Sequence, residues 1–583
     1  MPPQLAPIFE GRSLADILRS GLQQHQAGQL DAAEAAYRHV LRQLPDHPDA
    51  LHLLGLIAFH RGQHDAAVES IGRAAVLRGD IALYRNSLVS PLLALGRLEE
   101  AEAQSHAALR LAPDLAEAHG NLAVVLRRLG RDAEAEASYR AALALKPDFL
   151  DALRNYGNLL TAQERFAEAA SCFQASLRHQ PGHLPSEQAL GSALHRLGRL
   201  DEAEASCRRA LALAPEDPAG HYHLGIVLYG LNRLAEAEAC HRAALRHQRD
   251  HQMAHYNLGH ILLVTGRFEE GWPEIEWQAV THESGHRPFP APVWQGETLA
   301  GRTILLHAEQ GLGDTMQFCR FATGLARDAT VLIEVQAPLK RLMASLPGVA
   351  RIFARGEALP PFDLHCPLAL LPRRTKAGLE TIPAEIPYLA ADPAQAAAWR
   401  DRLSGLPGLR VGLVWAGGQV ASQPEQLRID QRRSITLARL APLAAVPGVS
   451  FVSLQKGAPA AQAATPPGGM VLHDFTAEFD DFADTAALVE ALDLVISVDT
   501  AVAHLAGALG KPVWLLNRFD TCWRWLLDRD DSPWYPSLRL FRQTAPGDWD
   551  GVVERLRQAL LDLSAGDCPG QPDPARLPPF GQL

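Results

Sequence analysis

The sequence predicts an α-helical solenoid followed by two doubly wound α/β units in tandem. Three observations carry this. A 34-residue lattice of glycine, alanine and proline runs from about Leu14 to Asp250. From Arg302 onward, apolar runs of strand length alternate with helix-like stretches. That alternation restarts after the proline-rich "IPAEIPYLAADP", which divides the second half near residue 392. At 583 residues the chain exceeds the size at which one core keeps growing, so several domains are expected.

The lattice is dense. Glycine stands at 28, 62, 96, 130, 198 and 266, with Glu164 and Asn232 in the two remaining slots. Alanine stands at 33, 67, 101, 135, 169, 203 and 237, and Pro113, Pro147, Pro181 and Pro215 form a third series. Each unit reads as two short helices. "AEAHGNLAVVLRRLG" is the first, ended by glycine, and "DAEAEASYRAALALKP" the second, ended by proline. Glycine tolerates the left-handed conformation that closes a helix, and alanine admits close helix approach. Seven units run without insertion, and an eighth begins near His251 and departs after Gly266. This resembles the tetratricopeptide repeat, whose stacked units present an extended concave surface. Asn121, Asn155 and Asn257 share one position on the first helix. An amide there has the chemistry to bond an extended acceptor peptide. The other slots hold Leu53, Ser87, Ala189 and His223, which break the ladder, so a purely structural array or one used for self-association stays open.

The expected domains are a repeat superhelix over 1–271, a packed connector over 272–301 and α/β units over 302–392 and 393–583. The connector is anchored by Trp272, Trp277 and Trp294, with Pro288, Pro290 and Pro292 between the last two. In the first α/β unit, "TILLHA" and "TVLIEV" read as strands, and "DTMQFCRFATGLA" and "APLKRLMASL" as helices. "ARIFA" and "FDLHCP" are further short strands. In the second unit "RVGLVWAGG", "VSFVSLQKG", "DLVISVD", "KPVWLL" and "RLFRQ" read as strands. "SITLARLAPLAAV", "DFADTAALVEAL", "TAVAHLAGALG" and "WDGVVERLRQALLDL" read as helices. "GGQVASQPEQLRI" lacks periodicity and reads as a mobile loop.

Composition narrows the function. The formal net charge of −11, with no long Lys/Arg run, argues against a general nucleic-acid binder. The seven cysteines are widely spaced and form no zinc-like cluster, so reduced cytosolic thiols and no metal are expected. The first residues lack a signal-peptide pattern, and no apolar run is long enough to span a membrane.

Two stretches carry chemistry. In "DLVISVDTAVAHLAGALG" a buried strand ends at Asp499, and a helix starts at Thr500. The free N–H groups of that helix start form an anion site suited to a diphosphate, and His504 follows at helical spacing. Simple capping by Asp499 and Thr500 is the alternative. "SLQKG" places Gln455 and Lys456 just past a strand end, where lysine suits a phosphate or is a plain surface charge. "DQRRSI" offers Arg432 and Arg433 to neutralise a leaving diphosphate. In the tail "FDTCWRWLLDRDDSPWYP", Trp523 and Trp525 read as packing between the units or as stacking on a ligand.

The turn "EQGLGDTM" is the more unusual stretch, because it sets Asp314 after Gly311 and Gly313. No GK[ST] follows, which excludes a P-loop. A dinucleotide fingerprint lacks its third glycine here, although Glu334 lies 21 residues after Gly313. An inverting sugar transferase accounts for the acid, which takes the acceptor's proton while the other unit holds the nucleotide.

"EQGLGDTMQFCRF", "RSI", "SLQKG", "DFADTAAL", "ISVDTAVAHLAGALGKPVW" and "WRW" carry a further resemblance. The second half resembles GT-B glycosyltransferases of the heptosyltransferase-like type (glycosyltransferase family 9-like), in their tetratricopeptide-fused bacterial branch. The resemblance implies a tandem Rossmann-like fold and metal-independent, inverting transfer from a nucleotide-sugar. It implies Asp314 as general base. Asp499, Thr500 and Ala501 are implied as phosphate and sugar contacts, and Arg433 as the basic residue near the diphosphate. Gly311, Gly313, Gln455, Lys456 and His504 complete the expected donor site. No cofactor beyond the nucleotide-sugar co-substrate is expected, and the repeats would recruit a protein or glycan acceptor in the cytoplasm. Ala501 departs from the family's turn glycine, the proline that often follows the Gly-Asp turn is absent, and the segment 417–431 is long. The layout is also similar to protein O-GlcNAc transferases, whose catalytic motifs are not present. A repeat scaffold with an inert α/β half is the alternative reading.

Overall fold

A computed structural model describes residues 12–281, 289–418 and 424–566. Pro288, Cys568, the first eleven residues and positions 419–423 of the expected loop lie outside it. The chain divides into two compact units, Met1–Leu231 and Asn232–Leu583.

Among the described residues the first unit holds thirteen helices, from Leu14–Gln26 to Pro218–Gly230, and three more follow at Leu234–His247, Gln252–Val264 and Phe268–Thr281. The helices of the first unit form an α-solenoid of tetratricopeptide type, and the three of the second carry the same repeat pattern on in sequence. All seven lattice alanines are fully buried between helices. Every described glycine slot has positive φ, from Gly28 at 75° to Gly266 at 81°, and Glu164 and Asn232 adopt it at 61° and 59°. A second glycine series sits inside the first helix of the pair. A Cβ on Gly21, Gly157 or Gly191 would lie 2.8–2.9 Å from Tyr37, Phe173 or Cys207. The small residue on one helix admits the large one on its partner.

Among its described residues the second unit carries two parallel sheets. β1 (Thr303–His307), β2 (Thr330–Val335), β3 (Arg351–Ala354) and β4 (Leu364–Pro367) have the order β3-β2-β1-β4. β5 (Leu409–Val414), β6 (Val449–Ser453), β7 (Leu472–Asp474), β8 (Leu494–Val498), β9 (Val513–Asn517) and β10 (Leu538–Arg542) have the order β10-β9-β8-β5-β6-β7. Strands β1, β5, β8 and β9 are almost wholly buried, which is why they read as continuous apolar runs. Strand order reverses between β1 and β4 in one sheet and between β5 and β8 in the other. Such switch points open ligand crevices at the carboxyl ends of strands. One buried core joins Phe268 and Trp272 of the last repeat helix to Ile304 of the first sheet and Val495 of the second.

Several helices differ from expectation. The first is interrupted at Cys319, giving Leu312–Phe318 and Arg320–Leu325. The stretch after β2 is a 3-10 turn, Ala337–Leu339, followed by a single helical turn. Leu437–Ala445 is 3-10, because Pro442 lacks the N–H that an α-helix needs there. Pro424–Arg433 is a helix, not loop, and its last turn carries both arginines. Pro393–Leu403 is a helix with Asp392 as N-cap, which the proline-rich surroundings concealed.

Candidate functional site

β1 runs into Gly311, and the helix Leu312–Phe318 begins there. β8 runs into Asp499, and the helix Ala501–Ala508 begins just beyond. These two helix starts are neighbours. A Cβ on Gly313 would lie 2.8 Å from His504 Cδ2 and 3.5 Å from Ala501 Cα. Glycine is required at 313 because a helix of the other α/β half packs against its backbone.

Asp314 lies at this junction with its side chain 25 % exposed. Its Oδ2 accepts the Gly311 N–H at 3.0 Å, and its Oδ1 accepts from Arg524 Nη2. Arg524 also donates from Nε to Gln317 Oε1 at 2.6 Å and from Nη1 to Cys522 Sγ at 3.1 Å. Burial opposes the Arg524 charge, but Asp314, Cys522 and Asp499 hold its proton more firmly than usual.

His504 is buried, and its Nδ1 lies 2.9 Å from the Tyr535 hydroxyl. With that hydroxyl donating, the neutral ring carries its proton on Nε2, which faces Asp499 Oδ1 at 4.0 Å. Burial, reinforced by Arg524 and opposed by Asp499 and Asp314, holds His504 down to about 4. Burial works against the Asp499 charge, yet His504, Arg433 and Arg524 outweigh it and keep Asp499 below the usual carboxylate range. Thr500 adopts extended backbone as N-cap without a side-chain cap bond, while its hydroxyl lies 3.0 Å from Ser497 Oγ. The helix start therefore keeps its first N–H groups for another acceptor.

Arg433 lies beside Gly417, within the electrostatic reach of Asp499, and is paired with Asp430. Arg432 is turned elsewhere, to Asp520 at 2.6 Å. Two other expected ligands serve the fold. Gln455 is buried, accepts the Trp415 and Ala416 N–H groups at 3.0 and 2.9 Å, and donates to the Ala416 and Lys456 carbonyls. Both of its amide atoms are engaged, so it anchors the loop after β5. Lys456 Nζ donates to the Thr476 and Phe479 carbonyls at 2.7 and 3.1 Å and clasps the turn after β7. Trp523 and Trp525 are buried, and pack on Trp272, Phe318, Trp534 and His504. They are packing residues, and stacking on a base or sugar is set aside.

The residue that sequence reasoning passed over is Arg524. It sits between two tryptophans in a stretch that reads as packing, and its partner lies 210 residues away. Arg320 was also passed over. It is buried, donates to the Pro383 and Trp534 carbonyls at 3.1 and 2.6 Å and to the Tyr388 hydroxyl at 2.8 Å, and lies over the Tyr388 and Tyr535 rings. It ties the two α/β halves together behind Asp314.

In the repeats, Asn121 donates to Asn86 Oδ1 at 2.8 Å, and Asn155 and Asn257 are half-buried. A groove of about 560 Å³, lined by Leu177, Arg178, Leu190, Leu194 and Arg209 among others, includes none of the three asparagines.

Family models match the N-terminal part. Tetratricopeptide-repeat models match residues 21–83, 89–148, 133–183 and 156–218, and a second such model matches 194–255. Protein FlbA of Caulobacter vibrioides is 29 % identical over 336 residues, covering 52 % of this chain and 54 % of FlbA. The chain thus spans about half the length of that curated relative. Among solved structures, TTC0263 of Thermus thermophilus, a thermophilic tetratricopeptide protein, is 26 % identical. It covers 31 % of this chain and 100 % of its own, with a TM-score of 0.29. YrrB, described as having an unusual peptide-binding site, is 21 % identical over 32 % of this chain and 96 % of its own, with a TM-score of 0.31. PilF of Pseudomonas aeruginosa is 19 % identical over 36 % of this chain and 94 % of its own, with a TM-score of 0.33. Among the described residues no helix is long and apolar enough to cross a membrane. The N-terminal part is a tetratricopeptide-repeat array, and a domain with parallel sheets follows it.

Proposed function

We propose that the chain is a metal-independent, inverting glycosyltransferase with a GT-B arrangement, and that its repeats recruit the acceptor. One observation carries the reading: the helix starts at both switch points, bearing Asp314 and Thr500, are packed together. Asp314 takes the proton of the acceptor hydroxyl. The oxygen bonds to the anomeric carbon as the bond to the diphosphate breaks, and the electron pair leaves with the diphosphate. The N–H groups after Thr500, with Arg433, meet that developing charge. Asp499 and the Nε2–H of His504 meet sugar hydroxyls. Because Gly313 touches the helix of the other half, the donor enters by a separation of the two halves.

Asp314→Asn is expected to lower transfer roughly 10²–10⁴-fold, the usual contribution of a general base. Nucleoside-diphosphate affinity by calorimetry stays unchanged. The donor is found first by a thermal-shift screen of UDP, GDP, ADP and CMP sugars, and full activity in the variant refutes the assignment. The second reading, a protein-binding repeat scaffold with an inert α/β half, draws on Arg524 and Gly311 together occupying both Asp314 oxygens. Absence of any nucleoside-diphosphate binding would favour it.

A further inference from the structure

We infer that Arg524 is a positioning residue that sets the orientation of Asp314, and that the last repeat hairpin holds Arg524 in place. The inference rests on Asp314 being the base.

Asp314 and Gln317 stand three residues apart on the helix Leu312–Phe318 and so share a face. Arg524 bonds both at once, Nη2 to the carboxylate and Nε to the amide oxygen at 2.6 Å. A guanidinium is planar, with its donor directions fixed, so two bonds to one helix face define its plane. The carboxylate is pinned from both ends, by Arg524 at Oδ1 and by the Gly311 N–H at Oδ2. A bare strut would need the first bond alone. A ligand for the donor would direct its N–H groups away from Asp314, whereas Arg524 bonds Asp314, Gln317 and Cys522.

The turn carrying Arg524 is rooted in the repeats. Trp523 packs edge-on to Trp272 of the last repeat helix at 5.2 Å between centroids, and the Arg524 guanidinium lies 4.4 Å over the Trp523 ring. Trp272 Nε1 donates to the Ala377 carbonyl at 2.8 Å. The helix Gln252–Val264 packs on the Trp523–Trp525 turn from the same side. It brings His260, whose proton affinity is lowered by burial and then by Arg524 and Arg518. A neutral imidazole there leaves the guanidinium directed at Asp314. The base from one α/β half is thus oriented by the other half, from a turn seated on the final repeat.

The test uses the full chain, with Arg524→Gln, Arg524→Lys and the exchange of Asp314→Arg with Arg524→Asp, singly and together. Thermal unfolding of the exchange set reads the pair whether or not the protein turns over. The double variant is expected to recover most of the melting temperature that the single variants lose, and additive losses would overturn the inference. In steady-state kinetics Arg524→Gln should lower kcat 10- to 100-fold, about what a misplaced catalytic group costs. Donor KM and nucleoside-diphosphate affinity should hold within about twofold, with Arg524→Lys intermediate in kcat. Lost nucleotide affinity would make Arg524 a donor ligand, and unchanged kcat would make it a strut; either result overturns the inference and leaves the transfer reading intact. If the exchange recovers stability but the wild-type chain neither binds a nucleoside diphosphate nor consumes a nucleotide-sugar, the transfer reading falls and the positioning role with it.

Discussion

His504 makes stability depend on pH. The imidazole is held down to about 4 from its ordinary 6.5. Above about pH 6.5 it is neutral in both folded and unfolded chains and adds no pH dependence. Between 6.5 and 4 the unfolded chain takes up a proton that the folded chain refuses, so stability falls as pH falls. The loss amounts to about 3 kcal/mol once pH reaches the folded value. His504→Gln should flatten that part of the acid limb, read as the difference in unfolding free energy between pH 7 and pH 4.5. An equal slope in both proteins would show that other histidines, such as His52 and His241, carry it. Some of the site was readable at this level. Asp314 and Asp499 stood out because an acid beside a glycine turn, or at a buried strand's end, has a local signature. Gln455 and Lys456 looked like ligands for the same reason, but nearby carbonyl and N–H groups claim them, and residue type does not encode those neighbours.

Within the repeats, the helix-ending slot tests how far one position can be read. Six of its described occupants are glycine, and Glu164 holds the same left-handed conformation at φ 61° despite its Cβ. That conformation costs a non-glycine residue about 1–2 kcal/mol. Glu164→Gly should therefore stabilise the protein by about 1 kcal/mol in chemical denaturation. Asn232→Gly should gain less, because asparagine tolerates the region. A loss in Glu164→Gly would mean that local side-chain contacts outweigh the strain. In the α/β half the buried strands were legible, while the short, less buried edge strand Leu472–Asp474 was not expected and the helices were less legible. Fully buried parallel strands give unbroken apolar runs, whereas short helices interrupted at Cys319 or Pro442 give no sustained period.

For the molecule as a whole, the informative fact is that its second compact unit begins at Asn232, inside the repeats. The last three repeat helices share a core with both sheets. Arg320 is the polar counterpart of that core. It spans Pro383 and Tyr388 on one side and Trp534 and Tyr535 on the other, with no carboxylate among the acceptors it bonds. Arg320→Leu would leave three carbonyls, of Gln317, Pro383 and Trp534, without this donor at a buried junction, and should cost about 3–5 kcal/mol in thermal unfolding. Arg320→Lys should restore part of this, since one ammonium cannot reproduce the planar fork. Equal stability in the leucine variant would show that apolar packing alone holds the halves.

The repeats, the buried strands and the acid in the β1 turn were all determined by the sequence, because each depends on spacing along the chain or on the few residues beside it. Asp314 meeting Arg524, Gly313 meeting His504, and the last repeat joining the sheets were decided by tertiary structure. Those contacts depend on which distant surfaces pack together, and the sequence carries no local period for them.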